Sequence, residues 1–90
     1  MPTTFESFCA DGQARGFPVA LIRTRPAGTV LDTHTHPFDA DALVVDGEMW
    51  LTFDGRTQHL HRGDWFEVPA GTPHDERYGP SGATYWVARR

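Results

Sequence analysis

The stretch Gly63-Asp64-Trp65-Phe66-Glu67-Val68-Pro69-Ala70-Gly71-Thr72-Pro73-His74 runs from a Gly-Asp turn, through a short strand-like segment, to a proline- and glycine-rich corner that ends on a histidine. Gly63 supplies the permissive backbone of the turn, and Asp64 a side-chain oxygen for its hydrogen bonds. Pro69 and Pro73 fix φ on either side of Gly71, so the corner presents His74 with little freedom. Outward from this segment the same rhythm continues, with short apolar runs broken by Gly, Pro and Asp. They lie at Val19 to Arg25, Val30 to His36, Ala42 to Val45, Glu48 to Phe53, Arg56 to Leu60, Trp65 to Val68, His74 to Tyr78 and Thr84 to Ala88. Eight short strands predict an all-β sandwich or barrel. Met49, Leu51 and Phe53 alternate with Trp50 and Thr52 ahead of Asp54-Gly55, a dipeptide that predicts a two-residue hairpin. The polar partner strand, Arg56 to Leu60, reads as solvated on one face and at a sheet edge.

Only the N-terminus departs from this pattern. Thr3 as N-cap, with Glu6 as its reciprocal partner, predicts a helix over Thr4 to Arg15. Phe5, Phe8 and Cys9 share one face of it, and Gly16 ends it in a left-handed conformation. The helix is expected to lie across a sheet. Composition bounds the rest: 90 residues with 39% hydrophobic and 12% aromatic content describe one domain. Eight Lys+Arg, none of them Lys, against twelve Asp+Glu leave a net charge of -4, which removes the counterion-release drive for nucleic-acid binding. The longest apolar run, Ala42-Leu43-Val44-Val45, is far too short for a bilayer span. No basic stretch followed by an apolar one opens the chain, and a cytoplasmic location is expected. Cys9, the single cysteine, excludes an internal disulfide and reads as a small packed residue.

Five histidines carry more information. His34-Thr35-His36 follows Gly28 after five residues, and Asp46-Gly47-Glu48 closes that block. Two residues apart on a strand, His34 and His36 face the same way with roughly 6 to 7 Å between their Cα atoms, so their rings can converge on one ion. Such a block followed by the Gly63 to His74 block resembles the cupin superfamily. Its members carry Gly, five residues, His-x-His, a downstream Glu and a closing Gly, and then Gly, five residues, Pro-x-Gly, two residues and His. The resemblance covers Gly16 to the C-terminus. It implies a double-stranded β-helix, the RmlC-like jelly-roll barrel, over residues 17–90, with residues 1–16 as a helical segment packed on it. It also implies an open barrel mouth and a homodimer.

For the site, the resemblance implies that His34, His36 and His74 ligate a divalent metal ion, with Zn, Fe, Mn and Ni not distinguished. The family's glutamate has no counterpart here. It falls on Ala40 if Gly47 sets the register, and on Asp41 if the longer spacing from His36 is used. Residue 40 shares a face with 34 and 36, whereas Asp41 points the other way unless a bulge intervenes. Three histidines plus water is the expected set, ahead of Asp41 or Asp39. The family's Asn after the second motif is Tyr78, expected to pack. Glu48, Glu67 and Glu76 read as solvated strand residues ahead of a role beside the metal or as a base, and His59 and His61 as two exposed histidines. Phe38, Trp50, Trp65, Phe66, Tyr85 and Trp86 are expected in the core or at contacts between chains ahead of a ligand cavity. No serine-nucleophile elbow, phosphate loop or dinucleotide fingerprint is present. The expected function is a metal-binding domain acting on a small organic ligand as an oxygenase or isomerase. The alternatives are a noncatalytic small-ligand or sensor module and a metal-free structural dimer.

Overall fold

A computed structural model describes residues 2–90. One helix, α1 (Phe5–Ala14), precedes six strands: β1 (Val19–Arg25), β2 (Val30–His34), β3 (Ala40–Phe53), β4 (Arg56–His61), β5 (Trp65–Val68) and β6 (His74–Arg89). Two pairs of the segments expected as separate strands are continuous. Ala42 to Val45 joins Glu48 to Phe53 in β3, and His74 to Tyr78 joins Thr84 to Ala88 in β6.

These two long strands run antiparallel to each other along nearly their whole length and form the spine of the fold. Their register shifts between Val44 and Asp46 and between Gly47 and Met49, and there the paired strands pass from one layer to the other. One layer has the order β1, the end of β6, the start of β3, and β5; the other has β2, the start of β6, the end of β3, and β4. The result is the double-stranded β-helix that the family resemblance implied. Gly47 is the residue that lets the spine bend. Its φ is +74°, and a Cβ there would lie 2.1 Å from the Gly82 carbonyl oxygen, so no larger residue fits.

Between the layers sits the main core, built from inward-facing residues such as Val44, Met49, Leu51, Leu60, Phe66, Tyr85 and Val87. A second cluster lies outside, where Phe8 and Phe17 cover Leu43 and Ala88. Helix α1 seats there through Phe8, whose ring lies 5.7 Å from that of Trp86 and 5.9 Å from that of Trp65. Gly12 brings the helix backbone close to the sheet, with the Ala88 methyl only 3.5 Å from where a Cβ would be. The cap differs from expectation by one residue. Thr4, not Thr3, accepts the Ser7 N–H, and Ser7 rather than Glu6 closes the capping box. Serine is short enough to reach back to the Thr4 backbone at 3.2 Å, so the helix starts one residue later. Gly16 ends it as expected, at φ +88°. The Asp54-Gly55 hairpin also forms, both residues at positive φ, with β4 on an edge. No helix among the described residues is long and apolar enough to cross a membrane.

Candidate metal centre

The pairing of β2 with β6 sets His34 directly opposite His74, and their ring centroids are 4.2 Å apart. His36 lies just past the end of β2, which stops at His34 instead of continuing to 36. There the His36 carbonyl accepts the Gly71 N–H at 2.8 Å, a bond that ties this loop to the proline-glycine corner. Gly71, at φ +74°, turns its N–H into that position. Asp39 adds a second tie, its carboxylate accepting the Ala70 N–H at 2.8 Å. Segments distant in the chain are thus locked together by one backbone and one side-chain bond, and the three histidines meet in consequence. Their ligand nitrogens all lie within 4.8 Å of one another and could hold a metal ion.

Two of the rings are oriented by carbonyls. His34 Nδ1 donates to Asp32 O at 2.7 Å and His74 Nδ1 to Thr72 O at 2.9 Å, because a carbonyl can only accept. In the neutral ring that bond sets the tautomer and leaves the Nε2 lone pair for an ion. His36 is set by stacking: its ring lies 4.8 Å from Phe38 at 5° between planes, and its Nδ1 is buried with no hydrogen-bond partner among the described residues. Burial first, then the neighbouring His74 and His34, pushes the His36 pKa below its ordinary 6.5. The ring is therefore neutral at physiological pH, as ligation requires. An orphaned ring nitrogen beside two rings oriented by carbonyls is a donor set that fits a divalent first-row metal.

The carboxylate beside the histidines is Glu76, one of the three glutamates weighed for that role. Glu76 is 5% exposed, not solvated, and its Oε2 lies 3.4 Å from His34 Nε2 and 3.6 Å from His74 Nε2. Its other oxygen accepts the Tyr78 hydroxyl, so Tyr78 does more than pack. Burial, with the nearby Tyr85 and Glu76, raises the Tyr78 pKa strongly and keeps that hydroxyl protonated. The available signal was parity: His74, Glu76 and Tyr78 alternate on one strand and so share a face. Neither Asp39 nor Asp41 joins the cluster. Asp41 points out of the barrel, as its register requires, and pairs with Arg15 of the segment after α1 at 2.5 Å. Asp39 is held by Ala70 and by Arg90 at 3.3 Å. Ala40, at the family's glutamate position, does face inward.

The histidines open onto a cavity of about 260 Å³. Leu51, Phe66, Val68 and Val87 form its apolar wall, together with Phe38, Ala40 and Tyr85. Phe66 and Tyr85, expected in the core, lie in it, and with Phe38, which packs against it, they also line the cavity. The three tryptophans do not: Trp86 and Trp65 meet α1, and Trp50 stacks on His59 at 4.5 Å outside the other layer. His59 and His61 are exposed but engaged, with Glu48 and Asp64 respectively, each at 2.8 Å. Arg23, Arg25 and Arg89, which sequence reasoning passed over, complete the cavity wall.

Residues 21–84 match the cupin-domain family. The chain belongs to the cupin family. This cupin is 37% identical over 71 residues to a quercetin 2,3-dioxygenase of Bacillus subtilis (strain 168), a match covering 76% of the chain and about a fifth (21%) of that enzyme's length. Among solved structures it is similar to the DMSP lyase DddQ from Ruegeria pomeroyi DSS-3, at 28% identity and a TM-score of 0.73, over 79% of this chain and 36% of that one. An RmlC-like cupin from Shewanella frigidimarina matches at 27% identity and a TM-score of 0.70, over 79% and 63% of the two chains.

Proposed function

We propose that this cupin is a metal-dependent enzyme acting on a small organic molecule, with His34, His36 and His74 as the metal ligands and Glu76 as the group that moves a proton. One observation carries the reading: a buried carboxylate stands beside two histidines whose Nε2 atoms are free, at the end of a largely apolar cavity. A divalent metal held there would supply Lewis-acid polarisation of a substrate oxygen or, with iron, oxygen chemistry. The protein's own part is separate. Glu76 is anchored through one oxygen by Tyr78 and turns the other toward the histidines and the cavity, the arrangement of a positioned general base. The apolar wall keeps water from competing for the proton. The dioxygenase relative supports oxygenation as the reaction class. Isomerisation is the second reading, favoured because proton removal and return at one carboxylate is all it asks of the chain.

The test is metal analysis of protein purified without chelator or histidine tag, beside His36→Ala. About one divalent metal per wild-type chain, lost in the variant with the fold kept, is expected; substoichiometric metal in both would leave only a binding or structural role. Oxygen consumption on a panel of small substrates separates the two reaction classes. The reading includes a homodimer, supported by the exposed Val19, Ile22 and Val30 on β1 and β2, and sedimentation analysis checks it.

A further inference from the structure

The chain carries more acid than base, yet its cavity is the reverse. Three of the eight cationic side chains, Arg23, Arg25 and Arg89, line it, against one of the twelve carboxylates, Glu76. General basicity does not explain this in a chain of net charge -4. Arg23 and Arg25 alternate on β1 and so face the same way, and Val19 at the other end of that strand pairs with Arg89 of β6. Ion pairs among the described residues use Arg15 and Arg90 but none of these three. Arg89 instead lies 4.6 Å over the ring of Phe38, the residue stacked on His36. Most telling is Arg25, whose guanidinium lies by the Tyr85 and Tyr78 side chains while its Nε is buried with no hydrogen-bond partner among the described residues. A buried donor on a charged group is costly to leave unmet, and the guanidinium to which it belongs lines the cavity where an anion can sit.

We infer that the substrate of this cupin is a small carboxylate anion, its carboxylate held by the Arg25 guanidinium with Arg23 and Arg89 adding attraction; this rests on the reading of the cavity as the substrate site. A guanidinium presents a planar pair of donors that matches the two oxygens of a carboxylate. The cavity sets the size. At about 260 Å³ it lies below the roughly 300–1,000 Å³ of sites for drug-sized ligands, which keeps the occupant below that size class. The Leu51, Phe66 and Val68 wall suits an apolar body, and the arginines would hold the acid end so that the remainder faces Glu76.

Calorimetric titration with butanoate and benzoate, against butanamide and benzamide, tests this on wild type, Arg25→Gln, Arg25→Lys, Arg56→Gln and His36→Ala, with metal content measured on every sample. Arg56 is an exposed hairpin residue and controls for loss of one charge. Expected are binding of the acids but not the amides, at least tenfold weaker binding in Arg25→Gln, a partial recovery in Arg25→Lys and no change in Arg56→Gln. Equal binding of acid and amide overturns the inference. So does acid binding that is lost in His36→Ala but unchanged in Arg25→Gln, because the anion would then sit on the metal. Acid binding that depends on Arg25 in protein without metal upholds the inference while refuting the metal-enzyme reading, and metal-loaded protein that ignores acids does the reverse.

Discussion

Glu76 shows how much chemistry one side chain gains from its neighbours. Glu76→Gln keeps the shape and removes the charge, so metal content and fold are expected to persist while turnover falls by about 10²- to 10⁴-fold. Metal loss in that variant would instead make the carboxylate a ligand. Tyr78→Phe frees the anchored oxygen and is expected to cost less turnover than Glu76→Gln, read in the same assay. His36 yields a pH dependence. Its folded pKa lies below the ordinary 6.5, so below that pH the unfolded chain binds a proton that the folded chain resists. Its contribution to stability is therefore intact above the ordinary value and is lost as pH falls beneath it. Melting of metal-stripped protein between about pH 5 and 7.5 should show this slope, and His36→Gln should flatten it.

The elements are held by a few positions that tolerate no exchange. Gly47→Ala would force a Cβ to 2.1 Å from the Gly82 oxygen, and the backbone there is already left-handed. A loss of more than about 3 kcal/mol is expected by chemical denaturation, since the two layers could no longer fold over one another. Helix α1 is more independent of the site. Phe8 is fully buried on the outer face of the sheet, so Phe8→Ala should cost about 3–5 kcal/mol. The same variant should keep its metal, because the histidines lie on the inner side. That division between outer and inner faces follows from strand alternation: Leu43 and Ala88 meet the helix, whereas Ala42 and Val87 face the core.

At the scale of the whole molecule, the site joins distant stretches of chain, so a metal bound to it also stabilises the fold. With free metal at about 100 times its dissociation constant the linkage is worth about 2.7 kcal/mol, and chelation should lower Tm by on the order of 10 °C in a domain of this length. Scanning calorimetry with and without chelator checks this. Much of the molecule was legible beforehand because its signals are local. Strand alternation, the Asp54-Gly55 turn and the proline corner before His74 each act through neighbouring residues, and they placed β1 and β5 to the residue. The breaks expected within β3 and β6 were bends, since Gly47 and Gly82 allow a continuous strand to turn without ending.

Short-range spacing supplied the all-β pattern and the facing pair of His34 and His36, and the resemblance carried by the two motifs implied the double-stranded β-helix and His74 as the third histidine. Only the tertiary structure decided which acid stands beside them. Ala40 and Glu76 are far apart in the chain, and pairing across the bent spine leaves one without a carboxylate and buries the other next to His34 and His74. The three cavity arginines were hidden for the same reason. Their charge suggests solvent, and only closure of β1 against β6 brings them to the cavity wall.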